Sequence, residues 1–264
     1  MKTNEARAKL KRGEPCIGTW LTLPDPTAAR LMARVGFDWL TVELEHAAVN
    51  IETAAQSFVG IAAEGCAPLA RVPSNTTENI KRVLDNGAWG IVVPMVNSRD
   101  EAEAAVAAAR YQPAGHRSVG GQLHAVSFDT DPATYYARAN GEILVVVMIE
   151  HFRAVEAAEA ILRVPGIDAF FIGPNDLHNS MGKPPVFDSE DADYRKAVKH
   201  LLELGRKLGV PSGIHVLDAP TAGKRIGEGF QFVAIASEAG MMLSNAREVA
   251  RALGIGGERV VAKY

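Results

Sequence analysis

A closed (β/α)8 barrel is the fold this sequence predicts, and three observations carry it. Eight apolar runs with strand character recur along the chain, stretches with helical periodicity separate most of them, and 264 residues is near the usual size of one such barrel. Strands that read as continuous apolar runs are buried on both faces, the habit of parallel sheets, and parallel neighbours need a crossover between them. Strict alternation of strand and helix therefore indicates a parallel sheet. Eight units favour closure. An open, doubly wound sheet of similar content is the alternative that periodicity leaves standing. Residues 1–264 read as a single domain, with no repeat, low-complexity stretch or Ser/Pro-rich linker to divide them.

In chain order the predicted strands are CIGTWLTL (Cys16–Leu23), WLTVEL (Trp39–Leu44), PLARV (Pro68–Val72), GIVVPM (Gly90–Met95), ILVVVMI (Ile143–Ile149), AFFIG (Ala169–Gly173), GIHV (Gly213–Val216) and FQFVAIA (Phe230–Ala236). The helical stretches between them are PTAARLMARVG, IETAAQSFVGIAAEG, TTENIKRVLDNG, RDEAEAAVAAARY, AVEAAEAILRVPG (Ala154–Gly166), YRKAVKHLLELGRKLG and APTAGKRIGEG. Asn50 and Thr76 stand where N-caps belong, and Gly36, Gly65, Gly87, Gly209 and Gly229 where left-handed helix stops belong. One segment breaks the alternation. Gln112–Asn140 is rich in Gly, His and Asp and too long for a simple connection, which suggests a lid or a subunit contact. NAREVARALGIGGERVVAKY at the end reads as a last helix and a tail.

Composition narrows the function. Hydrophobic content of 47% and charged content of 22% suit a soluble globular enzyme. A net charge of -3 gives no support for binding nucleic acid or an anionic membrane. Cys16 and Cys66 form no close-spaced metal or redox motif, and the charged, amphipathic N-terminus lacks the apolar centre of a signal peptide. No apolar run reaches spanning length without polar interruption. A cytoplasmic enzyme is expected. GIGG (Gly254–Gly257) follows a helix and is not a dinucleotide fingerprint, and there is no P-loop or nucleophile elbow.

The chemistry of a barrel sits beyond the carboxyl ends of its strands. The fifth and sixth predicted strands deliver Glu150 and Asp176 there. Two oxygen ligands on neighbouring strand ends suit a hard divalent cation that keeps water or substrate in its open positions; helix caps or ion-pair partners are the structural alternative. The other ends offer Trp20, then Glu43, Glu45 and His46, then Arg71. Histidine suits proton transfer near neutral pH, and arginine is the natural fork for a carboxylate. The set fits formation of an enolate beside a carbonyl, with a metal taking up the developing charge. Arg71 could equally pair with Glu43 or Glu45, and Trp20 could be core. No lysine stands at a strand end to form a Schiff base.

These residues carry a resemblance. GTW (Gly18–Trp20), GFDWLTVELEH (Gly36–His46), ARVP (Ala70–Pro73), IKRVLDNGAWGIVVPMV (Ile80–Val96), ARYQPAGHRSVG (Ala109–Gly120), MIE (Met148–Glu150) and DAFFIGPNDLHNSMG (Asp168–Gly182) resemble the metal-dependent (class II) pyruvate aldolases. That family includes 4-hydroxy-2-oxoheptanedioate aldolase and 2-dehydro-3-deoxyglucarate aldolase, and the similarity runs almost end to end. It implies a (β/α)8 barrel assembled as a homohexamer, often with the last helix exchanged between subunits. It implies magnesium, manganese or cobalt held at Glu150 and Asp176. Pyruvate would chelate that metal, its carboxylate on the amides of the Gly173–Asp176 turn, Asn175 included. Arg71 matches the arginine that stabilises the enolate oxygen, His46 the base, thought to work through a metal-bound water, and Asp85 an aspartate credited with raising that histidine's basicity. The activity so implied is reversible cleavage of a 4-hydroxy-2-oxo acid to pyruvate, or an analogue such as hydroxypyruvate, and an aldehyde. An oxaloacetate decarboxylase, a citrate-lyase-β-like acyl-CoA lyase and a catalytically silent 2-oxo-acid-binding barrel are the rivals.

Asp85 lies on the helix entering strand four, at the opposite end of the barrel from His46, so any contact between them is expected across a subunit interface. The chain also departs from the family's pattern. Glu43 stands where aspartate is usual, Met148 where a glutamine faces the substrate, and His215 where an aliphatic residue is usual. Gln112, Ser118 and Glu238 differ as well.

Overall fold

In the computed structural model, which describes residues 1–255, eight parallel strands close in chain order into one barrel. They are β1 (Cys16–Leu21), β2 (Trp39–Glu43), β3 (Ala67–Arg71), β4 (Gly90–Val93), β5 (Leu144–Met148), β6 (Ala169–Ile172), β7 (Ser212–Val216) and β8 (Phe232–Ser237). Each expected strand exists, with ends shifted by at most two residues. After α1 (Glu5–Lys11) come α2 (Pro26–Ala33), α3 (Ile51–Ala63), α4 (Thr77–Asp85), α5 (Arg99–Ala109), α6 (Leu123–Ser127) and α7 (Pro132–Glu142). The later helices are α8 (Phe152–Glu156), α9 (Ala158–Leu162), α10 (Pro174–Ser180), α11 (Ala192–Leu208), α12 (Ala219–Glu228) and α13 (Glu238–Ala252). No described helix is long and apolar enough to cross a membrane.

The local signals act where the sequence placed them. Asn50 accepts from the Thr53 N–H and Thr76 from the Asn79 N–H, each satisfying a first-turn donor. The five helix-stop glycines have φ between 70° and 109°. Inside the barrel Trp39 is fully buried and stacks on Phe232, ring centroids 4.3 Å apart. This is possible because of Gly18: a Cβ there would lie 2.2 Å from the Trp39 ring. Trp89, at the other end of the ladder from the strand C-termini, stacks on Phe128 at 4.5 Å.

One ladder is irregular. Gly18 pairs with Ala234 but Trp20 pairs with Ser237, so β8 carries an extra residue opposite β1. Ala236 takes up the difference in the left-handed region, φ 48°, and the Thr19 hydroxyl donates to the Ile235 carbonyl at 2.7 Å.

Three expectations are corrected. The crossover over Ala154–Gly166 is two short helices, α8 and α9, parted at Ala157 where the backbone turns to φ −88°, ψ 0°. The last helix begins at Glu238, ahead of the segment expected to form it, and residues 256–264 of the tail lie outside the described residues. The segment from Gln112 to Asn140 is not a lid. It follows α5 and leads into β5, so it returns to the base of the barrel, where Phe128 packs on Trp89 and accepts from the Lys2 N–H at 2.7 Å. Only strand-to-helix connections reach the rim where the strands end.

Candidate active site

The carboxyl ends of the strands surround a cavity of about 370 Å³. Seven of the eight predicted site residues line it: Trp20, His46, Arg71, Glu150, Gly173, Asn175 and Asp176. The eighth does not. Asp85 ends α4 on the way into the base of β4, and its carboxylate accepts from the Arg117 guanidinium at 2.7 Å. Arg117 lies 4.6 Å over the Tyr111 ring and donates to the Tyr135 hydroxyl at 3.2 Å. Within one chain Asp85 and His46 belong to opposite ends of the barrel.

Glu150 follows β5 and is 2% exposed. Its Oε1 accepts from the Met95 N–H at 2.8 Å, while Oε2 is buried without a hydrogen-bond partner among the described residues. Glycine at 173 leaves room for that second oxygen, since a Cβ there would lie 2.4 Å from it. Burial pushes the Glu150 carboxyl up to about 8; the Met95 N–H and Arg71 oppose this, and Asp176 and Glu45 add to it. Asp176 sits exposed in the first turn of α10. A deep carboxylate with one unsatisfied oxygen and an exposed one on the neighbouring strand end are oxygen donors of the kind that suits a hard divalent cation. Among the described residues no group of three His, Cys, Asp or Glu side chains converges, so such an ion would complete its shell with water and substrate oxygens.

Opposite stands Arg71. Its register partner Glu43 is fully buried and serves two tasks with one carboxylate. Glu43 Oε2 accepts from Arg71 Nε at 2.6 Å and from Nη2, and Oε1 accepts from the N–H groups of Glu45 at 2.7 Å and His46 at 3.1 Å. The guanidinium is thus pinned, and so is the turn that carries His46. Burial works against the Arg71 charge, but the attraction and hydrogen bond of Glu43, with Glu45 and Glu150 beyond, leave its pKa above the ordinary value. Glu45 lies 3.4 Å from Arg71 Nε and 3.6 Å from His46 Nε2; burial raises its carboxyl, while Arg71 and His46 draw it down. The Arg71 Cζ sits 4.7 Å over the Trp20 ring. The ion-paired and cavity-lining roles of Arg71 coexist, and Trp20 is both buried and part of the wall.

Sequence reasoning missed part of the wall. Pro185 and Phe187 come from the connection between α10 and α11, and Phe171 from β6. The length of the stretch from the end of β6 to α11, with the short α10 inside it, was the available signal. The Met95 amide had none, being a main-chain donor held by a left-handed residue, φ 53°. Among the departures, Met148 and His215 line the cavity. Glu238 does not line it. Its carboxylate accepts from the Thr22 and Leu23 N–H groups and ties β8 to the connection after β1. Gln112 and Ser118 fall in the segment at the base.

Residues 16–246 match the HpcH/HpaI aldolase/citrate lyase family. A hydroxypyruvate/pyruvate aldolase of Rhizorhabdus wittichii is 34% identical over 253 residues, 95% of this chain and 100% of that relative. A 5-keto-4-deoxy-D-glucarate aldolase of Shigella dysenteriae is 34% identical over 247 residues, 94% of this chain and 95% of the relative. The crystal structure of an HpcH/HpaI aldolase/citrate lyase family protein from Burkholderia cenocepacia superposes with a TM-score of 0.89 at 31% identity, covering 96% of this chain and 100% of that one. The chain is an enzyme, a lyase, and belongs to the HpcH/HpaI aldolase/citrate lyase family.

Proposed function

We propose that the protein is a metal-dependent aldolase that reversibly cleaves 4-hydroxy-2-oxo acids to an aldehyde and pyruvate, or a close analogue such as hydroxypyruvate. Glu150 carries the reading. It is a buried carboxylate with one oxygen held by main chain and the other without a partner, on a rim shared with Asp176, His46 and Arg71. Glu150 and Asp176 would hold Mg²⁺, Mn²⁺ or Co²⁺, which when bound supplies Lewis-acid charge to the oxygens of a 2-oxo acid.

The chain's own groups supply the rest. The main-chain N–H groups of Asn175 and Asp176, in the first turn of α10, are the donors for the substrate carboxylate; Pro174 has no N–H to give. His46, half-exposed at the rim, takes the C4 hydroxyl proton. The C3–C4 bond then breaks, and its electron pair stays with the 2-oxo acid fragment as an enolate. Arg71, already oriented by Glu43, stabilises the enolate oxygen without a reorganisation at that moment. His46 returns the proton to C3, and the balance is closed. Trp20 packs beneath Arg71 and shapes the floor.

Asp85 acts on His46 from a neighbouring subunit in this reading, within a homohexamer that exchanges the last helix. The support is α13, which buries only Glu238 and leaves Met242, Leu243 and Val249 exposed. A dissociated but folded monomer with full activity would sink that part. Both cysteines are buried and free, in keeping with a cytoplasmic enzyme.

The deciding assay is release of pyruvate from a panel of 4-hydroxy-2-oxo acids, coupled to lactate dehydrogenase, with and without EDTA and with each cation restored. Activity that EDTA removes, metal restores and Glu150→Ala abolishes is expected. No pyruvate from any member, in protein shown to bind metal, refutes the aldolase reading.

A further inference from the structure

In the wall of this cavity His215, on β7, has a fixed hydrogen-bonding state. Its Nε2 lies 3.1 Å from the carbonyl oxygen of Ala236, the left-handed residue of the β8 irregularity. A carbonyl oxygen only accepts, so Nε2 carries a proton, and in the neutral ring Nδ1 then keeps its lone pair. Among the described residues, Ala236 is the hydrogen-bond partner of this ring, and it occupies Nε2. The surroundings are aromatic and apolar: Phe187 at 5.0 Å, Trp20 at 5.9 Å, with Phe171 and Met148 in the same wall. Burial pulls the imidazole pKa down to about 4, against the Ala236 carbonyl and with help from the Arg71 charge, so the ring is neutral near pH 7. A neutral acceptor in such a wall matches a neutral donor on the ligand, and an aliphatic hydroxyl is that donor.

We propose that His215 is a specificity-determining residue that selects substrates bearing a further hydroxyl group, which donates its proton to Nδ1. The inference rests on the aldolase reading above and goes beyond it by naming the substrate class. Two carriers present the same chemistry, the 2-oxo acid (hydroxypyruvate) and the aldehyde (glycolaldehyde).

Initial rates of aldol addition by the metal-loaded enzyme separate them. One arm compares hydroxypyruvate with pyruvate at a fixed aldehyde, and the other compares glycolaldehyde with acetaldehyde at fixed pyruvate. In the wild type, kcat/KM favours the hydroxylated member in one arm by roughly three- to tenfold, the worth of one neutral hydrogen bond. His215→Leu erases that preference, bringing the ratio of the two kcat/KM values in that arm to about one. His215→Gln, with a donor for Ala236 and an acceptor for the hydroxyl, retains part of it. Equal kcat/KM values within both wild-type arms, or a preference that survives His215→Leu, overturn the proposal. Should the leucine variant fail to fold, the wild-type arms decide. If the wild type turns over no pair, the aldolase reading fails. Titration calorimetry of the metal-loaded protein with the four compounds then tests His215 alone, because equal affinities within both pairs overturn it and a tighter hydroxylated member upholds it.

Discussion

The main-chain N–H of Met95 points at Glu150 Oε1, 2.8 Å away, because Met95 itself is held in the left-handed region at φ 53°. A non-glycine residue pays about 1 kcal/mol for that conformation, and such strain gathers at working sites. Here it aims a main-chain donor at a carboxylate that has one oxygen left over.

Met95→Gly removes the strain and keeps the donor. Met95 is 43% exposed, so little packing is lost. Stability within about 1 kcal/mol of the wild type and unchanged cation affinity are expected from denaturation and titration calorimetry. Met95→Val, branched at Cβ, should lose about 1–2 kcal/mol and bind the cation more weakly. A valine variant equal to the wild type in both measurements would show that the left-handed backbone does not set the carboxylate.

Gly173→Ala places a methyl group 2.4 Å from Glu150 Oε2 in the present geometry, so the carboxylate must turn away. The expected loss is about 10- to 100-fold in cation affinity, with about 1–3 kcal/mol of stability. Calorimetry with Mn²⁺ reads the first and urea denaturation the second. Unaltered affinity would remove Glu150 from the ligand set.

Glu43→Gln deprives a buried guanidinium of its counter-charge. Loss of about 3–5 kcal/mol is expected, because Arg71 stays buried with only the more distant charges of Glu45 and Glu150 to offset its own. kcat falls with it, since the same change loosens the turn that carries His46. A variant as stable as the wild type would contradict the pinning role.

The pH dependence of stability carries a signature of His215. Its folded pKa of about 4 lies below the ordinary value of 6.5, so between these values the unfolded chain binds more protons than the folded one. Stability from this group is therefore level above the window, falls as pH drops through it, and is level again below. The unfolding free energy of the wild type minus that of His215→Leu should be constant above pH ~7 and turn against the wild type by on the order of 3 kcal/mol near pH ~4. A difference that does not move with pH would mean the ring is solvated when folded.

Much of this was legible from sequence where it rests on short-range chemistry. ILVVVMI ends in Glu150 and AFFIG leads to Asp176, so two apolar runs and the polar residues after them locate the carboxylate pair without a structure. Asn50 and Thr76 announce their helices for the same reason: a cap acts within three residues. Other features depend on backbone geometry that side-chain identity does not encode. AVEAAEAIL holds neither Gly nor Pro, so nothing in it marks the break at Ala157. Met95 and Ala236 are left-handed without being glycine or asparagine. Glu43 reads as one of two adjacent carboxylates, and only the β2–β3 register shows that it holds Arg71. For the Gln112–Asn140 segment the lid half of the expectation fails, because length signals a role but not an end of the barrel. Its place after a helix held the answer.

Trp20 gives the molecule an optical reporter at its chemistry. Of the three tryptophans, Trp89 is stacked on Phe128 at the base, remote from the rim. Trp39 lies 6.4 Å from Trp20, edge to face, near enough to exchange excitation with it. Trp20 itself touches the cavity, with the Arg71 charge over its ring and His215 at its edge. Emission from this pair follows whatever arrives between Arg71 and His215, against a steady background from Trp89. Rapid mixing can then time substrate arrival in the unlabelled enzyme, separately from the carbon–carbon bond cleavage that follows.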